Sequence, residues 1–137
     1  MVGGQARTGT ARVWPGAVLA LALCACANLG GGEQKVDETA FPTEYKQRIR
    51  ERLNLQVADP RSIRDAYIAQ PALKPRGSVS RYIVCVKFDA KDETGQYMGN
   101  KEYAAFFYAG DLTQIVDATH DMCEGALYSP FPEIEKH

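Results

Sequence analysis

The side chains best suited to acid/base or metal chemistry lie near the C-terminal end of the chain. His120 stands between Asp117, Asp121 and Glu124 in the sequence. An imidazole and carboxylates gathered on one helical turn can transfer protons or ligate a metal ion. Acidic residues are also common in short exposed turns, where they need no chemical role. We therefore assign no catalytic residue and no metal site, and keep a small metal-dependent or acid/base enzyme centred on His120 as the alternative function.

No second catalytic constellation is recognisable in the sequence. It contains no Gly-rich phosphate loop, no Gly-x-Ser-x-Gly elbow and no His-Glu-x-x-His motif. The other mature histidine, His137, ends a tail with two prolines. A formal net charge of -1, from 16 basic and 17 acidic residues, provides no field that attracts nucleic acid. We expect a non-enzymatic protein with no cofactor, no small-molecule ligand and no nucleic-acid partner.

The N-terminal segment has the layout of a bacterial export signal. Arg7 and Arg12 precede an apolar run from Val13 to Leu23, which small residues and cysteine follow. As a helix this run would be roughly 16 Å long, about half the thickness of the hydrocarbon core of a bilayer. The pattern indicates a cleaved signal peptide rather than a permanent membrane span.

The end of that segment resembles the lipobox of bacterial lipoproteins. Leu23-Cys24-Ala25-Cys26 has Leu at the third position before the final cysteine and Ala immediately before it. The resemblance implies cleavage before Cys26, lipidation of Cys26 and attachment to a membrane through covalent lipid, which is stable when several acyl chains are present. Ala27 resembles the outer-membrane default, so we expect the outer membrane, facing the periplasm. The alternative is an ordinary secretory signal cut near Ala25 or Ala27, without lipid.

The four cysteines then divide into three fates. Cys24 leaves with the signal peptide and Cys26 carries the lipid, which leaves Cys85 and Cys123 in an oxidising compartment. We predict that they form a structural disulfide. The rival interpretation, a redox or metal pair beside His120, lacks a Cys-x-x-Cys spacing in the mature chain, and two ligands do not make a zinc site.

The chain is expected to contain a signal peptide (1–25), a lipidated flexible tether (26–40) and a single α+β domain (41–137). Glycine and charge dominate the tether. In the domain, Tyr45, Ile49 and Leu53 recur every fourth residue, which predicts an amphipathic helix within residues 42–55.

The remainder of the domain is expected to be a small antiparallel sheet. Asp59-Pro60 is typical of a helix start, and predicts a short turn through Ser62. Alternation of apolar and polar residues predicts strands at 65–69, 80–88, 101–108 and 112–117. Prolines at 71 and 75 predict a loop. The predicted α+β fold is an N-terminal helix packed on three or four strands that include a meander, with a short C-terminal helical turn at 119–126.

Three short motifs carry a second resemblance. Asp59-Pro60-x-Ser62, the stretch from Val84 to Asp92, and Gly95-x-Tyr97-x-Gly99 resemble a pattern of small uncharacterised Gram-negative lipoproteins and exported proteins. That pattern has asparagine where this chain has Asp89 and Asp92. The resemblance implies an exported protein but no activity, because the family is itself of unknown function.

The aromatic run Tyr103, Phe106, Phe107 and Tyr108 suggests a partner. Alternation along a strand cannot bury all four rings on one face. We therefore expect a membrane-anchored envelope lipoprotein of structural or protein-interaction function, whose sheet face or edge contacts another envelope protein.

Overall fold

The computed structural model describes residues 35–135, together with Gly3, Gly4, Gly9 and Gly16. The predictions for the signal peptide, Cys24, Cys26 and His137 lie outside the described residues. The strands are β1 (Arg64–Ala69), β2 (Ala72–Arg76), β3 (Val79–Asp89), β4 (Lys101–Tyr108), β5 (Asp111–Asp117) and β6 (Tyr128–Pro130). The α-helices are α1 (Tyr45–Gln56) and α2 (His120–Cys123), and two 3-10 turns span Pro60–Ser62 and Pro132–Ile134. Neither described helix is long and apolar enough to cross a membrane.

One antiparallel sheet organises the domain, with the strand order β5-β4-β3-β1-β6. The central strand, β3, pairs with β4 along one edge. On its other edge it pairs with β2 in its first half and with β1 in its second half. The short β6 pairs with β1, so the outer side of β2 has no neighbouring strand within residues 35–135.

The fold class predicted from the sequence is wrong. The expected helix on three or four strands is instead a β-rich fold, with six strands and one helix longer than a single turn among the described residues. The two unpredicted strands contain Pro75 and Pro130, which the sequence analysis took as signs of loop and tail. Both prolines lie in edge strands, where a missing backbone N–H removes no necessary ladder bond.

The local elements match their predictions more closely. The four predicted strands occur with ends that differ by at most one residue. The predicted stripe on α1 is buried, with Tyr45, Ile49 and Leu53 facing the sheet. The turn after Asp59 is present as a 3-10 turn, and the Asp59 carboxylate accepts a hydrogen bond from the backbone N–H of Arg61.

Alternation along β3 divides the core between the two sides of the sheet. Even-numbered β3 residues, from Val84 to Phe88, contact α1 and the C-terminal 3-10 turn on the side that we call the helix face. Odd-numbered residues Ile83 and Cys85 contact α2 on the opposite side, the disulfide face. The Sγ atoms of Cys85 and Cys123 are 2.00 Å apart, which is a disulfide bond that joins β3 to α2.

Part of the segment that the sequence assigns to the tether lies against the sheet. Asp37 and Ala40 close a turn through their backbone groups, and the Glu38 carbonyl accepts a hydrogen bond from the N–H of Ala109 at 3.1 Å. This contact brings the Glu38 side chain to the turn between β4 and β5.

Candidate functional site

The residues around His120 do not assemble into a catalytic or metal centre. His120, Asp117 and Glu124 are exposed, and no group of three His, Cys, Asp or Glu residues in the part of the chain that the structure describes could hold a metal ion. Asp121 instead accepts hydrogen bonds from the Thr119 hydroxyl and from Arg76 Nη1 at 2.9 Å. These bonds, that of Thr119 first, lower the pKa of the Asp121 carboxyl. None of these contacts favours the enzyme alternative.

Most of the aromatic run on β4 lies in the core, and Tyr108 at its end is half-buried. Phe107 is 1% exposed in the helix-face core, and Phe106 is 7% exposed in the disulfide-face core. Tyr103 is half-buried and stacks on Phe88, with ring centroids 4.7 Å apart. Both faces of the sheet are covered along most of the strand, so Phe107, Phe106 and Tyr103 do not form the expected exposed surface. Tyr108 lines a groove at the hairpin end of the sheet.

The motif residues at one end of β3 form a single corner. The Ser62 hydroxyl donates to the Asp59 carbonyl at 2.7 Å and accepts from the N–H of Lys91 at 2.8 Å. In the loop between β3 and β4, Asp92 accepts from the hydroxyl and N–H of Thr94 and from the N–H of Gln96. An asparagine oxygen could accept the same bonds. The motif therefore has a structural explanation at Ser62 and Asp92.

Asp89 occupies a more demanding position at the same corner. Its side chain is 7% exposed, and its Oδ2 accepts from Arg64 Nε at 3.0 Å and Nη2 at 2.8 Å. The hydrogen bond to Asp89 raises the pKa of Arg64. The Tyr97 ring lies 3.5 Å from the Arg64 guanidinium carbon. Asparagine here would lose the ion pair, so the acid is required by its partner in this chain.

A row of aromatic rings and cations continues along the disulfide face. Lys87 Nζ lies 4.3 Å from the ring centre of Tyr128 and 5.3 Å from that of Tyr67. The Tyr128 hydroxyl donates to the Glu102 carboxylate. Burial, followed by this hydrogen bond, raises the pKa of Tyr128 well above its ordinary value. The Lys87 ammonium thus stands over two rings, and the Glu102 carboxylate accepts from the hydroxyl of one of them.

An apolar crevice lies between β2 and the loop after α2. It encloses about 230 Å³, and its walls include Ala69, Ile83, Met122 and the disulfide. Leu127 stands at its rim with 86% of its surface exposed. Lys74 Nζ bridges the crevice mouth by donating to the carbonyl oxygens of Glu124 and Asp121, at 3.1 Å and 3.4 Å.

Gly125 lies in this loop in a left-handed backbone conformation. Its φ of +77° is a conformation that residues with a side chain rarely adopt. The chain reaches the edge of the sheet at Tyr128, which pairs with Ala69 on β1. Ala72 and Lys74 of β2 also line the crevice, and the outer edge of β2 has no neighbouring strand within residues 35–135.

A second and larger groove lies at the hairpin end of the disulfide face. It has a volume of about 770 Å³, and its lining includes Arg76, Arg81, Phe106 and Tyr108. The two arginines are diagonal neighbours across β2 and β3, because Arg76 pairs with Val79 and Lys74 with Arg81. Their guanidinium carbons lie 5.7 Å and 4.8 Å from the ring centres of Phe106 and Tyr108, respectively.

Arg76 is incompletely satisfied in this arrangement. Its Nε and Nη2 are buried and have no hydrogen-bond partner within residues 35–135. An unsatisfied buried donor costs about 1–3 kcal/mol, whereas solvent screens an ion pair with an exposed carboxylate such as that of Asp121. The ion pair with Asp121 therefore stabilises the fold by less than the unsatisfied Nε and Nη2 destabilise it.

Neither arginine is predicted as a site residue from the sequence. They are five positions apart, and only the β2–β3 hairpin brings them to one face. The two-residue sequence Gly77-Ser78 between alternating segments was the available signal for that hairpin. The neighbouring prolines led instead to the prediction of a loop.

Comparisons with protein-family models, with curated proteins and with solved structures find no match for this chain. The resemblance to small Gram-negative lipoproteins and exported proteins stays a prediction from the sequence pattern.

Proposed function

We propose that this protein is a lipid-anchored module of the bacterial envelope, without enzymatic activity, that binds an envelope protein at the crevice beside β2. The observation that carries the proposal is Leu127, which is 86% exposed at the rim of an apolar crevice. Exposed apolar groups that adjoin a concave apolar surface are typical of protein-binding sites.

The edge of the sheet supports an extended binding partner. A partner strand could hydrogen-bond to the free side of β2 and insert an apolar side chain into the crevice, the mode known as β-strand addition. Pro75 removes one donor from this edge and Lys74 adds a charge, and both features limit nonspecific pairing between edges. The edge therefore favours a partner that also fills the crevice.

Compartment and tether support the envelope location. A disulfide between Cys85 and Cys123 fits an oxidising compartment, and lipid on Cys26 would hold the domain close to the membrane. The proposed function thus combines a sequence-based anchor with a binding surface on the described domain.

Crosslinking in intact cells tests the binding surface. We expect a specific crosslinked partner to be retained by Leu55→Asp and lost from Leu127→Asp, because both leucines are 86% exposed but Leu55 lies on α1. Equal loss in both variants, or equal retention, would contradict a role for the crevice.

Membrane fractionation tests the anchor separately. Cys26→Ser should release the protein from membranes or block its processing, and Cys24→Ser should leave the protein in the membrane fraction. An intact mass that shows an unlipidated N-terminus at Ala27 in native material would refute lipid anchoring while leaving the crevice proposal standing.

A further inference from the structure

The groove between Arg76 and Arg81 has the chemistry of an anion site. Arg76 presents Nε and Nη2 without partners, and these two nitrogens form one of the guanidinium edges that bind a carboxylate or a phosphate with two parallel hydrogen bonds. Arg81 has no carboxylate within ion-pair distance in the described domain, and it stands over the Tyr108 ring. Two guanidinium groups therefore share one groove. Asp121 pairs with Arg76 from outside the lining, and the Glu38 carboxylate lines the groove beside the Tyr108 hydroxyl without an ion pair to either arginine within residues 35–135.

The remaining walls suit a small organic anion. Phe106 and Tyr108 provide aromatic surface, and Gln114 adds an exposed amide. The volume of about 770 Å³ lies in the range of small-molecule sites, roughly 300–1,000 Å³. The Phe106 and Tyr108 rings would contact the uncharged part of a ligand whose oxyanion group is bound by the two arginines.

Access to the free edge of Arg76 requires its side chain to turn. Nε and Nη2 are shielded from solvent in the present arrangement. The one ion pair that Arg76 makes within residues 35–135 is with Asp121, whose side chain is 64% exposed. If an oxyanion replaces Asp121 and binds both guanidinium groups, more arginine N–H donors have a hydrogen-bond partner than before. Asp121 is then a competitor of the ligand rather than a part of its site.

We infer that this groove binds a small organic molecule through its oxyanion group, which is a carboxylate or a phosphate. Arg76 and Arg81 are the residues that bind this group. The site goes beyond the proposed function and does not depend on the lipid anchor or on the crevice at Leu127.

A titration monitored by NMR tests this assignment. The protein, purified as cells produce it, is titrated with inorganic phosphate, methyl phosphate and acetate at constant ionic strength, and amide shifts are followed. We expect saturable shifts around Arg76, Arg81 and Gln114. Tighter binding of methyl phosphate than of acetate assigns a phosphorylated ligand, and the reverse order assigns a carboxylate.

Four variants separate this site from general attraction of anions. Arg81→Gln and Arg76→Gln should each weaken phosphate binding about tenfold or more, as the loss of a charged hydrogen-bond partner predicts. Arg50→Gln, an exposed arginine on α1, should leave the affinity unchanged, and Asp121→Asn should increase it because the competing carboxylate is removed. Unchanged amide shifts elsewhere in each variant establish that it is folded.

Two results would overturn the inference. One is the absence of saturable shifts with all three probes. The other is an equal affinity for phosphate in Arg81→Gln, Arg50→Gln and the unmodified protein, which would mean that the anion responds only to overall charge.

Discussion

The two faces of the sheet are stabilised in different ways. On the helix face, Phe88, Phe107 and Phe131 are each at most 1% exposed beneath α1 and the C-terminal 3-10 turn. The disulfide face is covered by α2, a helix of four residues, which Cys123 fixes to β3. A covalent link there accompanies a smaller apolar cover, as in small exported domains generally. Packing alone thus holds α1 on the helix face, whereas a covalent bond holds the short cover of the disulfide face.

Adjacent residues on β4 provide the largest expected effect. Phe107→Ala should destabilise the domain by about 3–5 kcal/mol, the usual cost of a deleted buried phenylalanine. Phe106→Ala, on the opposite face, should cost about 2–3 kcal/mol, because Phe106 borders an open groove and its loss leaves a smaller closed cavity. Urea unfolding of both variants measures the difference. Equal losses would mean that packing contributes equally to the two faces.

Removal of the disulfide should have the next largest effect. Cys85→Ala with Cys123→Ala opens a loop with a sequence separation of 38 residues, for which chain entropy predicts a loss of about 4 kcal/mol and measured losses are typically about 2–4 kcal/mol. The melting temperature should fall by roughly 8–32 °C if each kcal/mol corresponds to about 4–8 °C. Hydrogen exchange should show that residues from α2 to β6 open first.

Thiol titration under denaturing conditions provides the control for that experiment. The native mature protein should show no free Cys85 or Cys123 thiol without reductant. Two free thiols, or an unchanged melting temperature in the double variant, would mean that the disulfide face is held by its packing alone.

The corner at Ser62 should have an intermediate effect. Ser62→Ala removes an acceptor from the N–H of Lys91 and a donor to the Asp59 carbonyl, so the free energy of unfolding should fall by about 1–2 kcal/mol. Ser78→Ala, in the exposed β2–β3 turn, should change it by less than about 0.5 kcal/mol. Similar values for the two serines in denaturant unfolding would show that the corner does not stabilise the end of β3.

Periodicity predicted the elements but not their arrangement. The stripe of Tyr45, Ile49 and Leu53 predicted a helix with the correct buried residues, and the alternation along residues 80–88 predicted the strand β3. The strands β2 and β6 were missed because proline excludes a residue from the sheet centre but not from its edge. Whether a proline lies at an edge depends on strand order, which local patterns do not encode.

The candidate sites were less predictable still. The pairing of Cys85 and Cys123 followed from the number of cysteines and the expected compartment, without any geometry. The groove at Arg76 and Arg81 depends on the register of β2 against β3, and the crevice depends on where the chain turns at Gly125. Such surfaces arise between elements, so the residues that line them carry no periodic signal of their own.

The smallest expected effect concerns the pH dependence of the disulfide face. The Thr119 hydroxyl and Arg76 lower the pKa of Asp121 below its ordinary value of 3.8, so this carboxylate stabilises the fold above that pH and loses its contribution as the pH falls through the lowered pKa. The difference in unfolding free energy between the unmodified protein and Asp121→Asn should therefore be present at about pH 6 and shrink as the pH falls below 3.8 and through the lowered pKa. Asp117→Asn serves as the control, because Asp117 is exposed and makes no ion pair among residues 35–135. If the difference in unfolding free energy for Asp121→Asn persists at the lowest pH, the substitution acts through packing rather than through the charge of Asp121. The ion pair between Asp121 and Arg76 would then not be the source of the pH dependence.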